Sequence, residues 1–276
     1  MSDPVRSRRA RELAEGALVR LVHAYGDIPE FVLLGELVPD LLCSQAPLQH
    51  VGTTDVDVQV DLEIKGGSTN SGRLEQALIT CDFTPDTERV WRWKDTSAPQ
   101  LVVKVEFLCD LPDIADHATV SFDGCESLGA VNLRGTGFAA RDWELHEVTA
   151  GIGEGAATVQ LRVATLPAYL LAKVRAAHGR GLTKDWYDIA YVLLHNDAGG
   201  PAAAADLVVE QFAGSLAGAT STALGELAAN FHDETALGSQ AYAESMVGLH
   251  PEVDIDVAAN DAAAAVTAFV AKVLSG

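Results

Sequence analysis

The chain has 276 residues, 48% of them hydrophobic, enough for one large domain or two of ordinary size with an apolar core. Its formal net charge of -20 argues against broad, nonspecific binding to nucleic acid or acidic membranes. The four cysteines form no CxxC pair, the N-terminus is too polar for a signal peptide, and no apolar run reaches membrane-spanning length. We therefore expect a cytoplasmic protein with reduced thiols and no membrane contact.

The first half of the chain alternates between helical and strand patterns. Apolar residues recur on one side of a helix in residues 4–25, and the run FVLLG at 31–35 predicts a short buried strand that ends at a glycine. The further predicted elements are a short helix at 37–42, an alternating strand at 56–64, a helix at 72–80, and a hairpin of two strands at 90–94 and 100–108. This order predicts an α/β domain with a mixed sheet.

The second half changes character at Thr165. Before it, short strand-like pieces extend the first domain, at 119–122, 131–134 and 159–163. After it, every pattern is helical, at 166–178, 185–194, 201–213, 220–231, 240–247 and 257–274. We therefore predict an α/β domain at 1–163 followed by an all-helical C-terminal domain at 164–276.

An acidic pair lies on one face of the alternating strand. Successive side chains of a strand point to opposite faces, so Asp55 and Asp57 share a face. Lys104 and Glu106 share a face of a later strand in the same way. If the two strands are neighbours, three carboxylates converge at one end of the sheet, and they repel one another unless a cation lies among them.

One or two Mg²⁺ ions would relieve that repulsion. Mg²⁺ prefers a few carboxylates and fills its remaining positions with water and phosphate oxygens. Two such ions would orient the phosphates of a nucleotide and lower the pKa of an attacking hydroxyl. Asp110 and Asp61 are the alternatives to Glu106 as the third carboxylate.

The ordered motifs of the chain resemble the DNA polymerase beta-like nucleotidyltransferase superfamily. In that pattern a strand ends in glycine, a second strand carries Asp-x-Asp and a later strand carries one acidic residue. Here these pieces are LLG at 33–35, TTDVD at 53–57 and VKVEF at 103–107. Two helices, TLPAYLLAKVRA at 165–176 and KDWYDI at 184–189, look like the AbiEii-type branch, to which the MenT toxins also belong. The resemblance covers about residues 30–195.

The resemblance implies an α/β (α+β) nucleotidyltransferase core and an Mg²⁺-dependent enzyme. Such an enzyme moves a nucleoside monophosphate from an NTP to an acceptor and releases pyrophosphate. The branch implies a toxin of a toxin–antitoxin or phage-defence pair, whose acceptor can be the 3′ end of tRNA and whose antitoxin is a separate protein. A small-molecule nucleotidyltransferase of the aminoglycoside type, and a non-catalytic nucleotide-binding relative, are the alternatives.

The resemblance also implies roles for individual residues. Asp55, Asp57 and Glu106 would hold the metal, and Lys173 would neutralise the triphosphate. Asp185 would orient Lys173 or the acceptor, with Asp188 as a second candidate on the same helix.

The remaining candidates concern the nucleotide and the acceptor. Gly35 matches the glycine of the family motif, but Glu36 replaces the small residue that usually follows it, and a glutamate repels phosphate unless it turns outward or meets Arg or Mg²⁺. Hydroxyl donors to the nucleotide would then come from Thr53, Thr54 or Ser44, and basic residues from Lys173 to Lys184 would suit a tRNA acceptor stem. His50 is predicted to be an ordinary surface histidine.

Overall fold

The computed structural model describes residues 7–97, 101–153 and 155–276, which form two compact units. The first unit contains the described residues up to Val38 together with Val51–Ala164, and the second contains Pro39–His50 and Thr165–Gly276. Residues 4–6 of the first predicted helix and residues 98–100 of the predicted hairpin lie outside the described part of the chain. The domains at 1–163 and 164–276 stay a prediction, because a compact unit is not a test of independent folding.

The first unit is built around a mixed sheet. Its strands in chain order are β1 (Val32–Leu34), β2 (Asp55–Gln59), β3 (Thr84–Pro85), β4 (Arg92–Asp95), β5 (Val103–Cys109), β6 (Thr119–Ser121), β7 (Gly129–Asn132), β8 (Trp143–Ile152) and β9 (Gly155–Ala164). Neighbouring strands follow the order β3-β4-β5-β2-β1-β9-β8, and β7 pairs with both β5 and β6. Parallel and antiparallel pairs both occur, which confirms the predicted mixed sheet.

The parallel pair of β2 and β5 positions the predicted carboxylates. Asp55 lies opposite Lys104, and Asp57 lies opposite Glu106. The predicted hairpin is also confirmed, because β4 pairs with β5 in the antiparallel sense. Through these two pairings, side chains from three adjacent strands share one face of the sheet.

Helices cover the sheet of the first unit and make up most of the second. They are α1 (Arg8–Tyr25), α2 (Pro39–Leu42), α3 (Asp61–Gly66), α4 (Ser68–Thr80), α5 (Gly137–Arg141), α6 (Leu166–Arg180), α7 (Thr183–His195), α8 (Pro201–Phe212), α9 (Ala219–Asn230), α10 (Leu237–Leu249) and α11 (Ile255–Ser275). Helix α1 begins where the Ser7 hydroxyl accepts the Ala10 N–H and ends at Gly26, whose left-handed backbone suits glycine. Its apolar side packs against α4, β8 and β9.

The structure differs from the prediction at β2 and at β8. The strand predicted at 56–64 is wrong beyond Gln59, because the Gln59 side chain accepts the backbone N–H of Asp61 and α3 begins there. Strand β8 was not predicted, although it pairs with β9 from Trp143 to Ile152. Its one glycine, Gly151, lies at its end, and pairing with β9 defines its length.

Helix α11 is the one helix in the described ranges long and apolar enough to cross a membrane by length and composition. Half of its most apolar window is buried inside the protein, and a core helix passes the same test. The predicted absence of membrane contact therefore stays a prediction.

A buried glutamate joins α1 and α3 in the first unit. Glu63 is 0% exposed, and its carboxylate accepts the Glu30 backbone N–H at 2.8 Å and the Tyr25 hydroxyl at 3.3 Å. Burial raises the pKa of Glu63, and these two hydrogen bonds oppose the rise only in part. Ionised Glu63 is therefore less favourable in the folded chain than in the unfolded chain.

We expect Glu63→Gln to stabilise the protein relative to wild type as the pH rises. A carboxyl group with a raised folded pKa contributes its stability below its unfolded pKa, about 4.3, and loses it as the pH rises through the folded pKa. The gain should be about 1.4 kcal/mol for each unit by which the pKa is raised. Urea unfolding at a series of pH values measures it, and a difference between variant and wild type that does not change with pH would contradict this account.

Candidate functional site

Asp55 and Asp57 lie on one face of β2. Both are half-exposed, whereas Val56 and Val58, on the other face, are fully buried. The period of two that was read from the sequence therefore holds across this strand. It places two carboxylates side by side where solvent reaches them.

Gly35 lies directly against Asp57. Leu34 pairs with Asp57 across β1 and β2, and the next residue, Gly35, has a positive φ of 78°. A Cβ atom added at Gly35 would lie 2.8 Å from the Cβ of Asp57. Glycine is thus required here for two separate reasons, backbone conformation and the position of the Asp57 side chain.

Cations on β4 and β5 contact two of the three predicted carboxylates. Lys104 Nζ lies 3.1 Å from Asp55 Oδ1, and Arg92 Nε donates to Glu106 Oε1 at 2.5 Å, with a second contact from the same guanidinium. Lys104 and Arg92 had no role predicted from the sequence. The signal was present for Lys104, because it lies two residues before Glu106 and so shares its face.

The resemblance implies an Mg²⁺ ion at this face of the sheet. Two half-exposed carboxylates are a donor set that Mg²⁺ uses, since it keeps water and phosphate oxygens in its other positions. Asp55 and Asp57 therefore fit such an ion. Within residues 7–97, 101–153 and 155–276, however, no three His, Cys, Asp or Glu side chains are grouped to hold a metal.

Asp61 and Asp110, the two alternatives to Glu106 as the third carboxylate, lie beyond the carboxyl ends of β2 and β5. Both are engaged in structural hydrogen bonds. Asp110 accepts hydrogen bonds from Arg134, from the Gly135 N–H at 2.8 Å and from the Gly137 N–H. Asp61 is buried and accepts the Asp110 backbone N–H at 2.9 Å. Burial raises the pKa of Asp61.

The candidate nucleotide contacts of the first unit are mostly buried. Thr53 Oγ1 accepts the Asp55 backbone N–H at 3.0 Å, whereas Thr54 Oγ1 is buried without a hydrogen-bond partner. Glu36 does not turn outward, because only 5% of it is exposed. In the second unit, the Ser44 hydroxyl donates to Asp197 at 2.7 Å.

The candidates of the second unit form a charge cluster, which we define as Lys173, Asp185, Asp188, Arg180 and His50, and all of these except Arg180 are buried. Lys173 Nζ lies 2.5 Å from Asp188 Oδ2 and 3.5 Å from Asp185 Oδ1. Arg180 adds a contact of 2.9 Å to Asp185 Oδ1. Both aspartate side chains are 0% exposed. Their spacing of three residues on α7 places them together, and both contact Lys173 of α6.

The prediction that His50 lies at the surface is wrong. Its side chain is 1% exposed, and Nε2 lies 2.9 Å from Asp188 Oδ1. The ring packs against Tyr187 and Tyr191 of α7, at centroid distances of 5.1 and 4.9 Å. No local sequence pattern predicts this contact, because 138 residues separate His50 from Asp188.

The charge cluster stabilises the ionised form of Asp188. Burial by itself raises the pKa of this carboxyl, but the positive charge of Lys173 and the hydrogen bond from His50 lower it well below its usual range. One carboxylate oxygen of Asp185, Oδ2, is buried without a hydrogen-bond partner. Lys184, the last candidate, is half-exposed in the first turn of α7.

We expect Gly35→Ala to destabilise the protein more than Gly26→Ala does. Both glycines have positive φ, which costs about 1–2 kcal/mol for alanine, but a Cβ at Gly26 meets nothing within 4 Å. The overlap with Asp57 should add about 1–3 kcal/mol in Gly35→Ala. Denaturant unfolding of the two variants checks this, and equal losses would mean that the Asp57 side chain moves aside without cost.

We expect Lys173→Met to lower the free energy of unfolding by about 3–5 kcal/mol, because it removes one member of a buried ion pair and leaves Asp188 without that charge. The matched control is Lys272→Met, which breaks an exposed pair with Asp206 in the same unit and should cost at most about 1 kcal/mol. Chemical denaturation compares the two. A loss in Lys173→Met as small as in the control would show that the cluster is open to water.

Comparison with known protein families gives one match. Residues 133–267 match the family described as "Nucleotidyl transferase AbiEii toxin, Type IV TA system". No curated protein and no solved structure matches the chain. The matched segment contains Lys173, Asp185 and Asp188 and begins after the carboxylates of β2 and β5. Residues 133–267 are therefore similar to the AbiEii family of nucleotidyltransferase toxins, and this match supports the AbiEii-type assignment made from the sequence motifs.

Proposed function

We propose that the protein is an Mg²⁺-dependent nucleotidyltransferase that moves a nucleoside monophosphate from an NTP to an acceptor and releases pyrophosphate. The observation that carries the proposal is the half-exposed pair Asp55 and Asp57 on β2, in a chain with an AbiEii-type segment. Two carboxylates on one strand face repel one another, so the pair favours a divalent cation that neutralises both of them.

Asp55 and Asp57 are the residues proposed to hold the metal. A bound Mg²⁺ ion would supply positive charge to the phosphates and would lower the pKa of the attacking hydroxyl. Glu106 is the proposed third member, because it lies beside Asp57 in register and both contacts from Arg92 use Oε1, which leaves Oε2 for a further ligand.

Residues of the charge cluster are proposed to serve the same reaction on the strength of the family assignment. Lys173 is held between two aspartates, so its ammonium has a defined position from which it could contact the triphosphate. Asp185 retains one carboxylate oxygen without a hydrogen-bond partner, which supports a role in orienting Lys173 or accepting a proton from the acceptor. Asp188, Lys184, Gly35 and the two threonines remain proposed nucleotide contacts.

The family assignment bears on the biological role. A type IV toxin–antitoxin family implies a cognate antitoxin as partner. We propose the 3′ end of tRNA as acceptor, with the basic residues from Lys173 to Lys184 as contacts to the acceptor stem. Contacts of this kind release counterions, so transfer to tRNA should weaken as salt rises.

An acceptor assay tests the proposed function. Purified protein is incubated with Mg²⁺, each radiolabelled NTP and either total tRNA or an aminoglycoside, and label on the acceptor is measured together with pyrophosphate. Label on tRNA is the expected result. Label on the aminoglycoside alone would support the small-molecule alternative, for which the net charge of -20 would attract a cationic substrate.

We expect Asp57→Asn to abolish transfer while the protein still unfolds cooperatively. The substitution keeps the shape of the side chain but removes the charge that the metal requires. Glu144→Gln is the control, because it changes an exposed carboxylate on β8 of the same sheet and should leave transfer unchanged. Full transfer by Asp57→Asn would contradict the assignment, and circular dichroism excludes a loss of fold as the cause.

One set of contacts favours a second candidate, a relative that binds nucleotide without turnover. Asp55 and Glu106 already have cationic partners, and Glu36 is buried next to Gly35. Calorimetry with Mg²⁺-NTP on the wild type and on Asp55→Ala separates the candidates. Tight binding that depends on Asp55, with no transfer to any acceptor, would favour the non-catalytic relative.

A further inference from the structure

Six charged side chains form two rows across one face of the sheet, which we call the charged face. One row runs Lys94, Lys104, Asp55, and the other runs Arg92, Glu106, Asp57. Each row takes one residue from β4, one from β5 and one from β2. All six side chains are half-exposed, whereas the residues that alternate with them, such as Trp93, Val105 and Val56, are buried beneath the sheet.

The three cations of the charged face have different partners. Arg92 contacts Glu106 through two of its nitrogens. Lys94 lies 2.7 Å from Asp86, away from the carboxylates of β2. Lys104 contacts Asp55, one of the two carboxylates of β2, through a single interaction of 3.1 Å.

The contact between Lys104 and Asp55 is the weaker of the two ion pairs on β5. A half-exposed lysine–carboxylate pair contributes little, because water screens it and the flexible lysine loses entropy in making it. A guanidinium that contacts one carboxylate through two nitrogens is held more firmly. Of the two, Lys104 is therefore the cation that leaves its carboxylate more readily.

A divalent ion and an ammonium cannot both neutralise Asp55 at close range without repelling each other. The ion carries twice the charge of Lys104, so it is the stronger partner for a pair of carboxylates. A nucleoside triphosphate brings negative oxygens to the same face, and these would attract an ammonium that has left Asp55. Lys104 thus has two partners: Asp55 before the divalent ion binds, and the phosphate oxygens of the nucleotide after it binds.

We propose that Lys104 is the resident counterion of Asp55, released when a divalent ion binds, and that it then contacts the phosphates of the nucleotide. The inference rests on the proposed function, because it assumes that Asp55 is a metal ligand. It adds a residue to the nucleotide-binding set and explains how two adjacent carboxylates are tolerated in the folded protein without a metal. No covalent bond changes in this exchange.

Two binding measurements test the proposal, because Lys104→Met should change the two affinities in opposite directions. Removing the ammonium in Lys104→Met should raise the affinity for Mn²⁺, measured by calorimetry without nucleotide, by about fivefold, because the competing charge is gone. The affinity for a non-hydrolysable NTP analogue in saturating Mn²⁺ should instead fall by about tenfold, because a charge-assisted contact to phosphate is lost. A merely structural lysine would not move the two affinities in opposite senses.

Two further variants are the controls. Lys94→Met removes a cation from the same face, but one paired with Asp86, so both affinities should stay at the wild-type value. Lys104→Arg keeps the charge and should restore both affinities toward wild type. Circular dichroism and thermal unfolding establish that each variant is folded before binding is measured.

The outcomes separate this inference from the proposed function. Mn²⁺ binding that is abolished by Asp55→Ala but is equal in Lys104→Met and wild type would overturn the inference alone. An unchanged affinity of Lys104→Met for the nucleotide analogue would also overturn it. Absence of Mn²⁺ binding by the wild-type protein would overturn the proposed function and this inference together.

Discussion

The parallel pairing of β2 with β5 is the constraint on which the first unit's chemistry depends. It brings Asp55 opposite Lys104 and Asp57 opposite Glu106, so every charged side chain on β2 has a charged neighbour on β5. A shift of the register by one residue would move the two aspartates to the buried face, where nothing in the apolar layer could compensate their charge. The pairing therefore keeps the carboxylates of β2 on the face that solvent reaches. It also places Lys104 next to Asp55.

Charge compensation follows a different rule in the second unit. Lys173, Asp185 and Asp188 are almost entirely removed from water, so each has lost hydration that only its partners can replace. His50 adds a contact to Asp188, and Arg180 adds a contact to Asp185. The half-exposed contact between Lys104 and Asp55 is the weaker one and costs little to exchange, whereas this cluster stabilises one arrangement of its side chains. We regard the first as suited to binding ions and the second as suited to holding a lysine in place.

Sequence reasoning succeeded where the signal is local. The helix predicted at 166–178 is confirmed as α6. Pro167 is tolerated in its first turn, and Gly181 ends it in the left-handed conformation. The shared face of Asp55 and Asp57 follows from the period of a strand and is likewise confirmed. Sequence reasoning failed where one side chain, or a strand distant along the chain, determines where an element begins or ends. The Gln59 side chain, which accepts the Asp61 N–H, ends β2 early, and β8 is defined by its pairing with β9.

By itself, the sequence determined which residue types carry charge, which side of each strand or helix they occupy, and the family model that residues 133–267 match. These are properties of short segments and of their order along the chain. Only the tertiary structure decided which charges meet. Lys104 neutralises Asp55 because two strands separated by more than forty residues pair in one register, and His50 is buried because α7 brings Asp188 to it. The physical reason is that the pairing energy of charges depends on distance and on exclusion of water, and neither can be read from separation along the chain.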